Sequence, residues 1–463
     1  MNKTRIDQVL SATGGELLSG NRENCIIGVK HDSRECEKGH MFVAICGENQ
    51  DGHKYIPDVA KAGIKTFLVS HTDNWLDELY ESGMGRDDDY NIIKVDNTVD
   101  AMGALATWYL DSLDIKKIAV TGSVGKTSTR DMIYYVMNEK YNCGRNLKNY
   151  NNNIGLPISI FQFDSSTEAA VLEMGMDAFG EIDYLSGIVK PEVGVITNIG
   201  VAHMEKLGSR EGIFKAKMEL TNNLASAESG GTLIFAGDED MLTKDRTRGD
   251  YEQIQVGYTD DCDYRISQVD DFGVVGIKFN LTHKGISQIV ELPIPGIHNA
   301  INGAIAVACG EKFGIPMDQA AKGLKKASLT GSRLKLVEGK SVRIIDDTYN
   351  ANPASMMSAL DVMAVSQAER RVAILGDMYE LGQDTEALHR QVGEHAKAIN
   401  IDKVIAVGEL AREIAIGSEG KYFETKEELF EGIDEEIKTG DLILVKASRG
   451  MHMEDVVNRL KEI

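Results

Sequence analysis

The chain has 463 residues, of which 42% are hydrophobic and 26% charged, and its formal net charge at pH 7 is −22. This length exceeds what a single hydrophobic core holds, so we expect a soluble protein of two to four domains. The negative charge argues against a nucleic-acid partner, because phosphate backbones are bound by basic surfaces. It is compatible with an anionic small molecule, since such a ligand needs only a local positive patch.

The cysteines and the apolar segments favour a cytoplasmic protein. None of the six cysteines forms a Cys-x-x-Cys pair, so their spacing indicates neither a zinc site nor a disulfide framework. Free thiols fit a reducing compartment. The first residues lack the apolar core of a signal peptide, and no run approaches the ~20 apolar residues of a membrane span, so we expect no membrane insertion.

The first region, to about residue 98, has the pattern of short strands and loops with one helix near residues 56–62. An amphipathic pattern at residues 99–113 then predicts a helix that is either a linker or the start of the next domain.

A strand, a glycine loop and a helix follow at residues 117–137. Backbone N–H groups of such a loop cradle phosphates, and the helix N-terminus adds partial positive charge. We expect Lys126 to reach the β- and γ-phosphates and Thr127 to hold Mg²⁺. An ordinary glycine-rich turn is the alternative, and Val120 replaces the first glycine of the usual spacing. The predicted nucleoside triphosphate site consists of Gly122, Ser123, Val124, Gly125, Lys126, Thr127 and Ser128.

Short apolar runs at residues 169–172, 193–197 and 232–235 alternate with helical patterns, which predicts βαβ units and a parallel sheet. Residues 264–292 change to a strand-turn-strand pattern, which we interpret as an antiparallel appendage. An alanine-rich helix is predicted at residues 298–313.

Polar residues follow several of these predicted elements. Asn151 and Asn152 belong to an asparagine-rich loop that either presents amides to a substrate or is a plain turn. Glu173 ends a parallel strand, where ligands bind in open α/β sheets, and we expect it to hold Mg²⁺ unless it only faces solvent. His203 follows the next strand and is either a second metal ligand or a structural histidine.

The third region has apolar strands at residues 342–345, 371–375, 404–407 and 442–445 that alternate with helices, so it reads as a second, smaller α/β domain. Polar loops follow these strands. Lys446 and Arg449 are interpreted as a local cationic patch suited to a carboxylate, with surface salt bridging as the alternative.

Together these segments resemble the Mur ligase family over essentially the whole chain. The N-terminal segments that match are residues 32–34, 39–44 and 51–53. The remaining matches are residues 121–128, 149–157, 172–175, 198–205, 216–217, 298–302, 332–334, 347–353, 375–382 and 446–454.

The resemblance implies an α/β fold of three domains. Residues 1–98 would form an N-terminal uridine-nucleotide-binding α/β domain that holds the UDP substrate. Residues 99–328 would form a central P-loop ATPase-like domain with a parallel sheet. Residues 329–463 would form a C-terminal Rossmann-like ligase domain.

The resemblance also implies an ADP-forming amide ligase that uses ATP and Mg²⁺ and passes through an acyl phosphate. Residues 347–353 and 375–378 favour the members that add D-alanyl-D-alanine to UDP-N-acetylmuramoyl-tripeptide, a cytoplasmic step of peptidoglycan precursor synthesis. Both substrates are small molecules, and the protein would be a monomer. The alternatives are a ligase of the same family with another acceptor and, from a different class, a P-loop ATPase or kinase.

By the same resemblance, each site residue receives a role. Lys126, His203 and Lys217 would be catalytic. Asn299 would contact adenine, Arg333 the phosphates and Asp347 the ribose. The metal would be held by Thr127, Glu173, His203 and Lys217, the last as a carbamate. The substrates would be bound by Ser33, Arg34, Asn151, Asn152, Asn350, Asn352, Lys446 and Arg449.

Overall fold

The computed structural model describes residues 1–47, 50–73, 75–81, 90–147, 149–200 and 204–463. Among these residues there are three sheets, of five, nine and six strands, and a two-stranded ribbon. The sheets lie within residues 16–94, 116–292 and 335–446, and helices cover them, so the predicted α/β fold class is confirmed. The helices in the described parts of the chain are too short or too polar to cross a lipid bilayer.

The N-terminal sheet has the order β2-β7-β6-β5-β4, in which β4 to β7 run parallel and β2 is antiparallel. The strands are β1 (Thr4–Arg5), β2 (Glu16–Ser19), β3 (Cys25–Ile26), β4 (Gly28–Lys30), β5 (His40–Val43), β6 (Thr66–Val69) and β7 (Asn91–Lys94). The helices are α1 (Ile6–Thr13), α2 (Ile56–Lys61) and α3 (Trp75–Glu81), with single 3₁₀ turns at Ser33–Glu35 and Gly52–Tyr55.

The central sheet has the order β16-β15-β14-β13-β12-β11-β8-β10-β9. Its strands are β8 (Lys116–Thr121), β9 (Cys143–Arg145), β10 (Ala169–Glu173), β11 (Val193–Ile196), β12 (Thr232–Ala236), β13 (Glu252–Gly257), β14 (Tyr264–Asp271), β15 (Ile277–His283) and β16 (Ile286–Leu292). The helices of this region are α4 (Thr98–Asp111), α5 (Lys126–Met137), α6 (Gly155–Ile160), α7 (Glu181–Val189), α8 (Met204–Leu207), α9 (Arg210–Met218), α10 (Asn299–Lys312) and α11 (Met317–Leu324).

The strands expected to form an antiparallel appendage belong to this sheet, which corrects that interpretation. β14 pairs parallel with β13, and β15 and β16 continue the sheet as an antiparallel edge. Alternate side chains such as Tyr264, Ile266 and Phe279 are buried in one core with the alanine face of α10. The apolar face of the β15–β16 hairpin is buried against α10, so the hairpin is part of the central domain.

The C-terminal sheet has the order β17-β18-β22-β19-β20-β21 and is parallel except for β17. Its strands are β17 (Lys335–Glu338), β18 (Arg343–Asp347), β19 (Arg371–Gly376), β20 (Lys403–Val407), β21 (Lys421–Phe423) and β22 (Leu442–Lys446). The helices are α12 (Pro353–Val365), α13 (Thr385–Ala398), α14 (Arg412–Ser418), α15 (Lys426–Glu436) and α16 (Glu454–Lys461).

The first two regions share one hydrophobic core, in which α4 packs against α1, α6 and α7. Tyr109 of α4 links them further, because its hydroxyl donates to Phe163 O at 2.7 Å and accepts from Asn2 N at 2.7 Å.

Strand register decides which loops meet. β10, β8 and β11 are neighbouring parallel strands, with Glu173 opposite Val120 and Ile196 opposite Thr121. In the C-terminal sheet, Asp347 at the end of β18 lies opposite Lys446 at the end of β22. Since the carboxyl ends of parallel strands share one edge of a sheet, both sheets collect their polar loops at one edge.

Candidate active site

A cleft of about 1300 Å³ is lined by the polar loops of both the central and the C-terminal sheets. One wall carries the predicted phosphate loop and the ends of β10 and β11. The facing wall carries residues 333–359 and Lys446. Of the predicted site residues, the cleft brings together Ser123, Val124, Gly125, Lys126, Thr127, Ser128, Asn151, Asn152, Glu173, Asn299, Arg333, Asp347, Asn350, Asn352 and Lys446.

The phosphate loop depends on two glycines. Gly122 has φ +149°, and a Cβ at this position would lie 1.9 Å from Thr197 Oγ1. Gly125 has φ +82° and immediately precedes α5. Both conformations are accessible to glycine at little cost, so the loop turns tightly into the helix N-terminus.

Polar residues after β11 brace this loop, a role that the sequence did not reveal. Asn198 Oδ1 accepts from Ser123 N at 3.1 Å and from Val124 N at 2.9 Å. The hydroxyl of Thr197 donates to Val124 O at 2.6 Å. In the sequence, this brace is indicated by a polar pair, Thr197 and Asn198, that directly follows a buried strand.

Lys126 lies folded into the loop that precedes it. Its Nζ donates to Gly122 O at 2.8 Å and to Ser123 O at 3.2 Å. Burial lowers the pKa of Lys126, against the opposing effect of the Glu173 charge. The two carbonyls place the lysine ammonium at the centre of the loop, where it can neutralise a bound phosphate.

Arg333 reaches the phosphate loop from the opposite wall. Its Nη2 donates to Thr127 Oγ1 at 3.2 Å, and its guanidinium lies over the Tyr349 ring at 4.2 Å from the centroid. The buried Nε of Arg333 has no hydrogen-bond partner within the described part of the chain. A buried donor without a partner is costly, and a phosphate oxygen would satisfy it.

Glu173 is 2% exposed and has two partners for its carboxylate. Asn151 Nδ2 donates to Oε1 at 2.9 Å, and Arg130 Nη1 donates to Oε2 at 3.3 Å. Asn151, predicted as a substrate ligand, therefore orients the carboxylate that was predicted to hold Mg²⁺.

A buried charge network supports this arrangement and was not predicted. Arg130 and Asp131 of α5 are each 0% exposed. One oxygen of Asp131 accepts from Arg130 Nη2 at 2.6 Å and from Arg145 Nη1 at 2.8 Å, and the other accepts from Thr330 N at 2.7 Å. The network ties the phosphate-loop helix to the segment that enters the C-terminal sheet. Its signal in the sequence is two adjacent charges directly before the apolar residues Met132 and Ile133 of the same helix.

Lys217 lies on α9 and is 1% exposed. Burial, and secondarily the charge of Lys126, lower the pKa of Lys217 well below its ordinary value. An amine that is held neutral is the form that reacts with CO₂, so the site fits the expected carbamate. His203 lies outside the described residues, and its roles as metal ligand and catalytic residue stay predictions.

Lys446 and Arg449 do not form the expected cationic patch. Lys446 is 2% exposed, and its Nζ lies 2.7 Å from Asp347 Oδ2 and donates to Asn350 O at 2.7 Å. The side chain of Arg449 is 59% exposed and pairs with Glu454 at 3.3 Å. A buried ammonium needs a close carboxylate, which explains why Lys446 is directed at Asp347. Burial raises the pKa of Asp347, and Lys446 opposes that shift.

Several asparagines of the cleft have structural partners. Asn352 accepts from Ser355 N at 2.8 Å and caps α12. Asn152 accepts from Gly155 N at 2.8 Å and holds the turn that precedes α6. Asn299 Nδ2 donates to Pro295 O at 2.7 Å, and Asn299 Oδ1 accepts from Asn302 Nδ2 at 2.8 Å. These bonds fix the side chains in place, and their predicted ligand contacts stay predictions.

Ser33 and Arg34 are described residues that lie outside the cleft lining, in the N-terminal region. Asp32 accepts from Arg34 N at 3.0 Å and pairs with its guanidinium at 2.6 Å. The hydrogen bonds from Arg34 lower the pKa of Asp32 to about 2. The side chain of Arg34 is 86% exposed and is accessible to a ligand.

Comparison with known proteins places the whole chain in one family. Models of the Mur ligase middle domain and of the Mur ligase glutamate ligase domain match residues 120–310 and 332–449. A model described as the catalytic domain of the Mur ligase family matches residues 26–109.

Individual relatives agree with these models. The UDP-N-acetylmuramoyl-tripeptide--D-alanyl-D-alanine ligase of Bacillus subtilis is 37% identical, over 100% of this chain and 99% of that protein. A crystal structure of MurF from Acinetobacter baumannii superposes with a TM-score of 0.88 at 28% identity, covering 100% of this chain and 99% of that one. The MurF ligase of Thermotoga maritima, in complex with ADP, gives a TM-score of 0.80 at 25% identity and covers 94% and 97%. With this similarity along its whole length, the chain belongs to the Mur ligase family.

Proposed function

We propose that this protein is an ATP-dependent, ADP-forming ligase that adds D-alanyl-D-alanine to UDP-N-acetylmuramoyl-tripeptide. The observation that carries the proposal is the full-length identity to a ligase of that name, joined to a cleft in which a phosphate loop faces the loops of a second α/β domain. We place the reaction in the cytoplasm, in peptidoglycan precursor synthesis, and expect a monomer.

The phosphate loop and Arg333 support binding of the triphosphate. The loop, the start of α5, Lys126 and Arg333 all present donors to the same part of the cleft, and Nε of Arg333 has no partner among the described residues. Phosphoryl transfer depends on positioning and charge neutralisation more than on covalent help from the protein. We therefore assign Lys126 and Arg333 to the phosphates, Asn299 to adenine and Asp347 to the ribose.

The residues around the phosphate loop also fit a divalent cation. Thr127 and Glu173 are hard oxygen donors in one cleft, the ligands that Mg²⁺ prefers. They would hold Mg²⁺ together with the Lys217 carbamate and His203, and the bound ion would neutralise charge on the phosphates.

The chemistry proceeds in two steps. An oxygen of the tripeptide carboxylate attacks the γ-phosphorus, a new P–O bond forms, and ADP leaves. The dipeptide amine then attacks the acyl carbon of the acyl phosphate, inorganic phosphate leaves, and the amine loses a proton. Lys126 would offset the negative charge that develops in the first step. The asparagine-rich loop at residues 149–157 would orient the reactants and exclude water.

The uridine end of the substrate belongs to the N-terminal domain in this proposal. The exposed guanidinium of Arg34, held by Asp32, is available to a diphosphate, and Ser33 lies in the same turn. Asn350, Asn352, Lys446 and Arg449 are assigned to the peptide end.

The test is phosphate release from ATP with UDP-N-acetylmuramoyl-tripeptide and a series of dipeptides. We expect release only when both substrates are present, and a loss of at least about 10³-fold in kcat for Lys126→Ala, because the charge that it neutralises develops in the transition state. Lys140→Ala, an exposed lysine on the same domain, is the control. Turnover without a dipeptide would indicate an ATPase or kinase, and selectivity for another acceptor would indicate a different ligase of the family.

A further inference from the structure

A second group of reactive side chains lies in the N-terminal domain, outside the cleft lining. One donor atom from each of Cys46, Asp51, His53 and His71 lies within 4.8 Å of the other three. Residues 51–53 contribute to the family resemblance, but the sequence did not predict that Asp51 and His53 meet Cys46 and His71, because the members come from a loop, a 3₁₀ turn and the segment after β6. A search for a Cys-x-x-Cys pair cannot find ligands that are distributed in this way.

The separations fit a metal ion of the zinc class. Cys46 Sγ lies 3.3 Å from Asp51 Oδ1, and Asp51 Oδ2 lies 3.1 Å from His71 Nε2. A tetrahedral ion with a sulfur at ~2.3 Å and nitrogen or oxygen at ~2.0–2.1 Å needs donors roughly 3.3–3.7 Å apart. Small side-chain rotations therefore suffice to make room for the ion.

His53 has a different position in the group. Ser70 N donates to His53 Nε2 at 3.0 Å, so that nitrogen is an acceptor and Nδ1 carries the proton. Nδ1 lies 2.6 Å from Asp51 Oδ1 and donates to it. His53 thus orients the carboxylate, as outer-shell groups of metal sites do, and it is 1% exposed, so its ring is fixed by packing.

Solvent can reach the group through Cys46 and Asp51. The buried Nδ1 of His71 has no hydrogen-bond partner among the residues that the structure describes, while Nε2 faces Asp51. Trp75 Nε1 donates to His71 O at 3.0 Å and fixes the backbone there. Cys46 is exposed and the side chain of Asp51 is 45% exposed, so an ion can enter from solvent and keep water as a further ligand.

We propose that Cys46, Asp51 and His71 bind one divalent ion of the zinc class, and that His53 is a positioning residue for Asp51. A thiol, an imidazole and one carboxylate select such an ion over Mg²⁺, which prefers oxygen ligands alone. On binding, the sulfur–metal bond forms and the thiol proton passes to solvent. The ion would tie Cys46 and Asp51 to His71 in the segment after β6, and it is distinct from the Mg²⁺ of the proposed reaction.

The test is titration of the full-length protein with Co²⁺, a spectroscopic substitute for Zn²⁺, in the presence of excess Mg²⁺. We expect one Co²⁺ per chain and a thiolate-to-cobalt charge-transfer absorption. Cys46→Ser should lose this absorption, and His71→Gln should lose stoichiometric binding. His53→Gln should keep the absorption but weaken affinity by about 10–100-fold, as outer-shell substitutions do.

Cys25→Ser is the matched control, since Cys25 is a free, half-buried thiol in the same domain, and it should behave like the parent. Thermal unfolding with and without Zn²⁺ checks that each variant is folded, and only variants that keep the site should be stabilised by the ion. Absence of Co²⁺ binding by the parent, or an unchanged absorption in Cys46→Ser, would overturn the site. Complete loss of the absorption in His53→Gln would overturn its positioning role.

Discussion

Buried charges carry much of the chemistry at the scale of single residues. Burial lowers the pKa of both Lys126 and Lys217, and the charge of Lys126 lowers the pKa of Lys217 further. Within the described part of the chain, Lys126 has carbonyl partners that keep an ammonium in place, and none is seen for Lys217. The two lysines are therefore suited to different states, a cation at position 126 and a neutral amine at position 217.

Lys217→Ala tests the second of these states. The neutral amine attacks CO₂, an N–C bond forms, and a proton passes to solvent, which yields a carbamate anion. We expect Lys217→Ala to lose at least about 100-fold in kcat, since it removes a charge-stabilising group, and to recover part of it with acetate.

The matched control is Lys215→Ala, an exposed lysine on the same helix. NMR with ¹³C-bicarbonate should show a carbamate signal in the parent and in Lys215→Ala. A signal that persists in Lys217→Ala would assign the carbamate to another lysine.

His389 predicts a pH dependence of stability. Its Nε2 accepts from Met378 N at 2.9 Å and its Nδ1 donates to Thr385 O at 2.7 Å, so the buried ring is neutral. Burial lowers the pKa of His389 below its ordinary value, so the unfolded chain binds the proton more readily. The stabilising contribution is complete above an unfolded pKa of about 6.5 and decreases as the pH falls through it.

Thermal unfolding of the parent and of His389→Gln, at pH values of about 8 and 5.5, measures this effect. The variant should be less stable at the higher pH, because its packing is altered, but should lose less stability between the two conditions. Equal losses in both proteins would contradict the assignment.

The shape of the phosphate loop depends on the neighbouring strands β8 and β11. Gly122 and Gly125 both have backbone conformations that suit glycine, but only Gly122 lies against a neighbouring strand end. The bracing residues Thr197 and Asn198 follow β11, so the loop keeps its shape only while β8 and β11 stay paired.

Substitution of the two glycines should separate strain from crowding. Gly125→Ala should weaken ADP binding modestly, since about 1–2 kcal/mol of left-handed strain is its main cost. Gly122→Ala should be worse, because its Cβ displaces the Thr197 hydroxyl from Val124 O. Thr197→Ala is the control, and its effect should not add fully to that of Gly122→Ala, as expected for neighbours. Calorimetric titration with ADP measures the three single variants and the double variant Gly122→Ala/Thr197→Ala, and additive losses in the double variant would refute the contact.

The sequence predicted the secondary-structure elements better than the contacts between residues that are distant in the chain. Apolar runs such as residues 371–375 correspond to strands within one residue of the observed bounds, because buried parallel strands are continuously hydrophobic. The phosphate loop and Glu173 were found since their chemistry is local in the chain. The Asn198 brace, the Asp131 network and the Asp347–Lys446 pair join residues that are distant in sequence, and periodicity carries no information about such pairs.

The hydrogen-bond network around Asp131 contributes to the stability of the whole molecule. Asp131 holds Arg130 and Arg145 inside the central domain and the backbone of Thr330 at its exit. Asp131→Asn would leave the buried guanidinium of Arg130 and the partly exposed one of Arg145 with incomplete compensation. Loss of one partner of a buried ion pair typically costs about 3–5 kcal/mol.

Asp111→Asn is the matched control, because Asp111 pairs with Lys190 at the surface, and such pairs contribute about 1 kcal/mol or less. Denaturant midpoints measure both variants. We expect a large shift for Asp131→Asn and a small one for Asp111→Asn, and similar shifts would show that the buried network is not a principal support of the fold.

The contact between Arg333 and Thr127 has a kinetic consequence. Arg333 lies at the end of the segment that joins the central and C-terminal sheets, just before β17, and it covers the hydroxyl at the start of α5. If the nucleotide binds here as proposed, ADP leaves only after that contact opens. Turnover would then depend on solvent viscosity as well as on the chemical steps. The motion of a few residues in the connecting segment would partly limit the turnover rate.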